Sequence, residues 1–150
     1  MMKYVDIPPV WLAATLVVAW LQKTHFAYGL SFGPVWADLA GGLLVGAGLV
    51  MAALAVYEMR RHRTTVMPHE TPDALVTSGI FKRSRNPIYL ADSLILTGLI
   101  LYWDAVLSLP LIPVFVWWIE KHFILAEEKR LRRNFRANYA RYEKQTRRWL

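Results

Sequence analysis

Residues 35–57 read VWADLAGGLLVGAGLVMAALAVY, an apolar run with one acidic residue and no basic residue. At a rise of about 1.5 Å per residue, a helix of this length crosses a hydrocarbon core of about 30 Å. Three further apolar segments are predicted as helices, at about residues 10–28, 88–103 and 105–126. The sequence therefore predicts an all-α fold, a polytopic membrane protein with about four transmembrane helices.

The composition indicates one membrane-embedded domain over residues 1–150. Apolar residues make up 55% of the chain, and they are grouped into runs rather than spread periodically. The absence of cysteine excludes disulfides, thiolate catalysis and cysteine zinc sites. The four histidines lack metal-ligand spacing, so no metal site is predicted.

Loop charges predict the orientation. The net charge is +7, and the basic residues concentrate in segment 58–87 and in tail 120–150. Loops 29–34 and 102–104 carry no Lys or Arg. The positive-inside rule then places both termini in the cytoplasm, for a multi-pass protein of an inner or plasma membrane. Lys23 is the exception, and its long side chain can reach the outer interface.

The basic charge also bears on the partners. No nucleic-acid recognition module is visible, so the predicted partner is membrane lipid and not nucleic acid. The N-terminal segment carries Lys3 and lacks a small-residue cleavage site, which favours a retained helix over a signal peptide.

Two sequence patterns predict helix contacts. Gly42 and Gly46 form a GxxxG, which permits close approach of another helix; a glycine-lined substrate groove is the alternative. In a C-terminal helix at about residues 127–145, one apolar face is surrounded by arginines. Such a helix can lie along headgroups or cover a site. The residues of that face are Leu131, Phe135, Tyr139 and Tyr142.

Polar motifs stand where apolar runs meet basic segments. Residues 82–89 read KRSRNPIY and open the third run, whereas Glu127 and Glu128 close the fourth. If these runs form a helical hairpin, both motifs return to one membrane face. The motifs then form one site in a cytoplasmic cofactor loop.

Each motif also has a purely structural explanation. Arg85 can bind lipid phosphate, Asn86 can cap the helix that Pro87 begins, and Tyr89 can belong to an interfacial aromatic belt. The two glutamates can form ordinary surface ion pairs. Asp92 lies one turn inside the third helix, where a free carboxylate is costly. It can pair with a neighbouring helix or act in a substrate pocket.

The side chains suit a ligand with a carboxylate, an amine and hydroxyl groups. Arg85 can pair with the carboxylate, and the glutamates can bind an ammonium or ribose hydroxyls. Tyr89 can face a sulfonium ion. S-adenosylmethionine carries all these groups, although an anionic lipid would also use Arg85.

The stretches LVTSGIF at 75–81 and RNPIY at 85–89 are followed by Glu127-Glu128 and the terminal Arg148-Trp149. This order, over roughly residues 64–149, resembles the signature of the isoprenylcysteine carboxyl methyltransferase and phospholipid methyltransferase superfamily. The resemblance implies a small integral membrane methyltransferase that uses S-adenosylmethionine. Cofactor contacts would come from Gly79, Arg85, Asn86, Pro87, Tyr89, Glu127 and Glu128.

The implied acceptor is a lipid or another lipophilic or amphiphilic molecule. A carboxylate acceptor needs no base, whereas an amine or hydroxyl does, and Glu128 or Asp92 can serve. The chain departs from the family pattern at Asn86, where many members have His. It also departs at Asp92 and Arg136, near or at positions where Gly is common. The alternatives are a non-catalytic membrane or lipid-binding protein and an NADPH-dependent membrane reductase.

Overall fold

A computed structural model describes residues 5–150, and Lys3 lies outside the described residues. Within that range the chain forms helices and loops without a β-strand, which confirms the all-α class. Short 3₁₀ helices cover Gly79–Lys82 and Val106–Ser108, and a π-helical turn covers Glu120–Ile124. The α-helices are α1 Pro8–His25, α2 Pro34–Arg61, α3 Pro87–Tyr102, α4 Leu111–Ile119 and α5 Leu125–Gln145.

The fourth apolar segment differs most from its prediction. A single helix at about residues 105–126 was expected, but α4 begins only at Leu111. Residues 106–108 form a 3₁₀ helix, and Pro110 occupies the N-cap of α4. At the other end, the π-helical turn leads directly into α5. The C-terminal helix therefore follows the fourth apolar segment without an intervening loop.

Two stretches within residues 5–150 have the length and hydropathy of a membrane span. They are Val35–Arg61 and the continuous helical stretch Val106–Gln145. Helix α3 is apolar but has only 16 residues, and α1 ends in a polar turn with Lys23 and His25. A clear set of four spans is thus not observed. Large apolar side chains on α2, including Leu39, Leu43 and Leu49, remain exposed, as contact with lipid would require.

Glycines allow α2 and α3 to pack backbone to backbone. A Cβ atom on Gly98 would lie 2.6 Å from the Gly41 carbonyl oxygen, and one on Gly48 would lie 2.8 Å from the Ala91 carbonyl oxygen. Gly42 and Gly46, by contrast, would meet nothing within 4 Å. The GxxxG prediction therefore named the wrong helix face, because neighbouring residues point about 100° apart.

Asp104 joins three segments at the α3–α4 turn. Its Oδ1 accepts the Phe32 N–H at 2.7 Å, and its Oδ2 lies 3.7 Å from Lys23 Nζ. Hydrogen bonds from Ser31 and from Phe32 hold the pKa of Asp104 below its ordinary value. Lys23 thus has a carboxylate partner at this end of the bundle, in addition to any contact with the membrane interface.

The apolar face of α5 is buried inside the fold. Tyr139 and Tyr142 form a cluster with Ala55, Val76 and Phe81, and the cluster extends to Leu131 and Phe135. The Tyr142 hydroxyl donates to the Phe81 carbonyl at 2.7 Å. Two roles were predicted for this helix, lying along headgroups or covering a site. Its apolar face covers residues 75–81 and therefore does not lie on headgroups.

Arg136 interrupts α5 with a backbone conformation that favours glycine. Its φ is 43° and its ψ is −112°, between two normally helical halves. Such strain costs about 1–3 kcal/mol in a residue with a Cβ atom. A change to Gly removes this strain but costs about 0.4–1 kcal/mol of stability, because Gly increases the conformational entropy of the unfolded chain. We expect Arg136→Gly to stabilise the protein by about 1 kcal/mol, measured by thermal unfolding in detergent. Arg136→Ala keeps the Cβ atom and should not raise the thermal stability comparably. An equal rise in both variants would mean that loss of the arginine charge, and not relief of backbone strain, causes the effect.

Candidate active site

The hairpin of α3 and α4 brings the two polar motifs together. Arg85 Nη1 lies 3.7 Å from Glu128 Oε1. Both side chains are largely buried, with exposed fractions of 12% for Arg85 and 3% for Glu128. The two motifs therefore form one charged site at the end of the bundle where α5 begins.

Three arginines and three glutamates make a balanced ion-pair network around this contact. Arg148 donates two hydrogen bonds to Glu128, from Nε to Oε1 at 2.8 Å and from Nη2 to Oε2 at 3.0 Å. Arg85 Nη1 donates to Glu143 Oε1 at 3.1 Å. The network comprises Arg85, Arg132, Arg148, Glu120, Glu128 and Glu143. Because Glu128 is paired within it, its charge is compensated by protein groups.

Glu127 faces a different side of α5. Its Oε2 accepts a hydrogen bond from the Tyr89 hydroxyl at 2.9 Å. Tyr89 is buried and stacks on Phe123, with ring centroids 6.4 Å apart. The aromatic-belt explanation for Tyr89 is therefore wrong, because its hydroxyl is bonded inside the protein. Of the two glutamates, Glu127 borders open space and Glu128 does not.

That open space is a first cavity of about 180 Å³, between the start of α1, the loop after α2 and the start of α3. Its polar wall consists of Arg85, Asn86, Tyr89 and Glu127, and the remaining walls are apolar. A second cavity of about 60 Å³ lies beside it. The residues that border both are Met59, Val66, Met67, Phe81, Arg85 and Glu127.

Asn86 and Pro87 occupy the predicted positions at the start of α3. Asn86 is the N-cap residue and Pro87 is the first helical residue. The Asn86 side chain makes no capping bond, however, and its Nδ2 donates to the Arg148 carbonyl at 3.0 Å. The prediction that the Asn86 side chain caps α3 is therefore wrong, because its side-chain amide binds the C-terminal segment instead. Arg85 N–H likewise donates to the Arg147 carbonyl at 3.0 Å.

Gly79 lies apart from the cavities. Its φ is +58°, and a Cβ atom there would lie 2.8 Å from Glu58 Oε2. The buried Glu58 accepts a short hydrogen bond from the Ser78 hydroxyl, and His62 Nδ1 lies 3.8 Å from its Oε1. Glycine therefore lets this turn sit directly on Glu58. Two residues later, Phe81 reaches the wall of both cavities.

Asp92 is also absent from the linings of the first and second cavities. It is buried in α3, and its Oδ2 finds no hydrogen-bond partner among residues 5–150. The predicted pairing with a neighbouring helix is therefore not observed within that part of the chain. Asp92 follows Tyr89 by three positions, which places the two side chains on one helix face.

Sequence reasoning missed several members of the network. Glu143 and Tyr139 both bind Arg85, and their spacing of four on α5 was the available signal. Trp149 also joins the network, since its Nε1 donates to Glu120 Oε2 at 3.2 Å and its ring packs against the core. Glu58 was not singled out, because in the sequence it directly follows the apolar run 35–57, as an ordinary terminal charge would.

Together these features define a class of protein: a helical membrane protein with a charged cavity at the end of its bundle. Residues 36–138 match the phospholipid methyltransferase family, so the chain belongs to that family. The family indicates a methyltransferase that is associated with membranes, in agreement with the two apolar helices. No curated protein and no solved structure matches the chain.

Proposed function

We propose that the protein is an integral membrane, S-adenosylmethionine-dependent methyltransferase with a lipophilic or amphiphilic acceptor. The observation that carries this proposal is the shared cavity wall of Arg85, Tyr89 and Glu127. A cation, a hydroxyl and a carboxylate there face an otherwise apolar space. That combination suits a charged cofactor on one side and a hydrocarbon-bearing acceptor on the other.

The side chains present fit the chemistry of the cofactor. Arg85 Nε is buried without a hydrogen-bond partner among residues 5–150, so the guanidinium retains a donor for a carboxylate. Glu127 can pair with an ammonium group, and Tyr89 offers an aromatic face to a sulfonium ion. When bound, S-adenosylmethionine would supply an electrophilic methyl group. The protein's contribution is to bind, to orient and to exclude water.

The resemblance also assigned Gly79 and Glu128 to the cofactor site, and we propose indirect roles for both. Gly79 lets the turn before Arg85 rest on Glu58, which fixes Phe81 in the cavity wall. Glu128 holds Arg148, whose carbonyl in turn holds Asn86. Each residue thus shapes the site through a neighbour that borders it.

An amine or hydroxyl acceptor would also need a proton acceptor. Proton uptake by Glu128 would break its paired hydrogen bonds with Arg148. Glu127 borders the cavity, and Asp92 has an unpaired buried oxygen one turn deeper. We therefore propose Asp92 ahead of Glu128 for this role, because Glu127 is already assigned to the ammonium group of the cofactor.

The size of the cavities requires the surrounding loop to move. Ligand sites commonly measure about 300–1,000 Å³, which exceeds both cavities. The flexible side chains of Met59 and Met67 and the ring of Phe81 border both. We expect saturating S-adenosylmethionine to slow hydrogen exchange in residues 70–85, as the loop orders around it. NADPH is the control; unchanged exchange with S-adenosylmethionine would contradict this expectation.

We further propose that α1 and α3 complete a four-segment bundle in an inner or plasma membrane, with both termini cytoplasmic. The support is the concentration of basic residues at the α5 end and their scarcity at the α3–α4 turn. Reporter fusions at residues 32, 70, 103 and 150 test it. We expect cytoplasmic signals at 70 and 150 and external signals at 32 and 103. An external signal at 70 or 150 would overturn the topology.

Calorimetry on the detergent-purified protein separates the proposed function from its alternatives. We expect S-adenosylmethionine or S-adenosylhomocysteine to bind and NADPH not to bind. Selective NADPH binding would favour a membrane reductase. Binding of neither would leave a non-catalytic membrane or lipid-binding protein.

A further inference from the structure

The turn at residues 65–70 forms part of the wall of both cavities. Met67 borders the first and the second cavity, and Pro68 borders the first. The turn is closed by its own hydrogen bonds, since Thr65 Oγ1 donates to Glu70 Oε2 at 2.6 Å and accepts the Met67 N–H at 3.1 Å. It is therefore a local unit, and its distance from the opposite cavity wall depends on how it is anchored to the rest of the chain.

Side-chain hydrogen bonds anchor this turn at two points. On one side, His69 Nε2 contacts the Asp6 carbonyl oxygen, which only accepts, so the ring nitrogen is the donor. On the other side, Arg130 Nη2 donates to the Pro68 carbonyl. Within residues 5–150, no further hydrogen bond joins residues 65–70 to another part of the chain. The bond from Arg130 is therefore the one that ties the turn to α5.

Arg130 differs from the arginines of the ion-pair network. Arg85, Arg132 and Arg148 all pair with glutamates. Among residues 5–150, Arg130 forms no ion pair, and its Nε is buried without an acceptor. Arg130 follows Glu127 by three positions, which places both side chains on one face of α5. Its polar contact in this part of the chain is therefore the cavity wall, and not the charge network.

We propose that Arg130 is a positioning residue of the cofactor site, which holds the turn 65–70 closed over the cavity that Glu127 borders. Closure of a loop over a bound ligand separates the ligand from water and slows its release. Met67 and Pro68 are the residues of the turn that would cover the cofactor. Arg130 acts through them and transfers no proton or group itself. This inference rests on the proposed function, since it requires that the first cavity binds S-adenosylmethionine.

The dissociation rate of S-adenosylhomocysteine from the full chain in detergent tests the proposal, with surface plasmon resonance as the measurement. Arg130→Met removes the donor to Pro68 and keeps an unbranched side chain. We expect it to raise the dissociation rate roughly tenfold, because one of the two anchors of the turn is lost. It should also speed hydrogen exchange in residues 65–70 of the cofactor-free protein, without a comparable change elsewhere in α5.

Two further variants separate this role from a general effect on folding. Arg130→Lys keeps a charged donor and should restore a dissociation rate close to that of the wild type. Arg133→Met is the same change at an exposed position of α5, so it is the matched control and should release the ligand at the wild-type rate. If Arg130→Met is not recovered folded, Arg130→Gln carries the same test, because its shorter side chain ends before the position of Nη2.

The outcomes distinguish this proposal from the proposed function. If the wild type binds S-adenosylhomocysteine and folded Arg130→Met or Arg130→Gln releases it at the wild-type rate, the positioning role is wrong and the cofactor site stands. An equally fast release from Arg133→Met, or from Arg130→Lys, would overturn the role as well, because the bond to Pro68 would then not be the cause. If the wild type does not bind S-adenosylhomocysteine, the proposed function fails, and the positioning role fails with it.

Discussion

Gly98→Leu is expected to separate α2 from α3 and to prevent recovery of folded protein from detergent. A Cβ atom at Gly98 would already lie 2.6 Å from the Gly41 carbonyl oxygen and 2.9 Å from the Val45 backbone nitrogen. Overpacking of a core costs about 1–3 kcal/mol when side chains can shift, and sometimes more. Both of these obstacles are backbone atoms, which cannot rotate away, and the Val45 Cγ2 atom would lie at 2.8 Å as well. We expect a loss above about 3 kcal/mol, a large part of a typical total stability of about 5–15 kcal/mol.

Gly46→Leu is the matched control for this prediction. The space beside Gly46 is open to at least 4 Å, so leucine should change stability by less than about 0.5 kcal/mol. Size-exclusion profiles and thermal unfolding in detergent give the readout. If Gly98→Leu unfolds at the wild-type temperature, or Gly46→Leu is equally harmful, the α2–α3 contact is misplaced.

These glycines illustrate what the sequence could and could not predict about the fold. Apolar runs gave the helices, and Pro8 and Pro87 mark where two of them start. The contact face of α2 was not predictable, because the helix is apolar on nearly every side and periodicity then carries no signal. Only the position of α3 distinguishes Gly41 and Gly48 from Gly42 and Gly46.

The candidate site, too, could be predicted from the sequence only in part. The approach of Arg85 to Glu128 could be predicted, since a hairpin returns both motifs to one end. Which glutamate borders the cavity depends on helical phase, which sequence alone does not define. Arg148 and Glu143 were missed as site partners because a basic tail also fits positive-inside topology. Their roles arise from tertiary contacts to residues 85 and 128.

The arrangement also explains why the polar tail is part of the site. Ser84 and Asn86 donate to the Arg148 carbonyl, while the Arg148 side chain holds Glu128. The tail therefore connects the start of α3 with α5. Removal of the Arg148 side chain should disturb Glu128 directly, whereas the backbone carbonyl that Ser84 and Asn86 bind would remain.

Arg85→Ala and Glu127→Gln are each expected to weaken S-adenosylmethionine binding by about 1–3 kcal/mol, or roughly 5- to 150-fold. The reason is the loss of a charge-assisted hydrogen bond to the cofactor. Both residues border the first cavity. Calorimetry on folded protein measures the effect. Arg83→Ala, at an exposed position of the same motif, is the control and should bind normally.

Glu128→Gln should act differently from Glu127→Gln. Glu128 is buried and paired with Arg148, so removing its charge leaves partly buried arginines without compensation. Breaking a buried pair costs about 3–5 kcal/mol, and the partial exposure of Arg148 favours the lower end. We expect a clear loss of thermal stability together with weaker binding. Glu120→Gln is not a neutral control, since Glu120 also accepts hydrogen bonds from Arg148 and Trp149.

The double variant Arg85→Ala/Glu128→Gln decides whether the two motifs act as a unit. Residues that share a network are non-additive, so the combined loss of binding should be smaller than the sum of the single losses. Additive losses would mean that the contact at 3.7 Å between Arg85 and Glu128 has no energetic consequence for the ligand. If Arg85→Ala and both glutamine variants retain wild-type affinity in folded protein, this cavity is not the cofactor site. Membership of the phospholipid methyltransferase family would then stand, but the reaction would have to be assigned elsewhere in the chain.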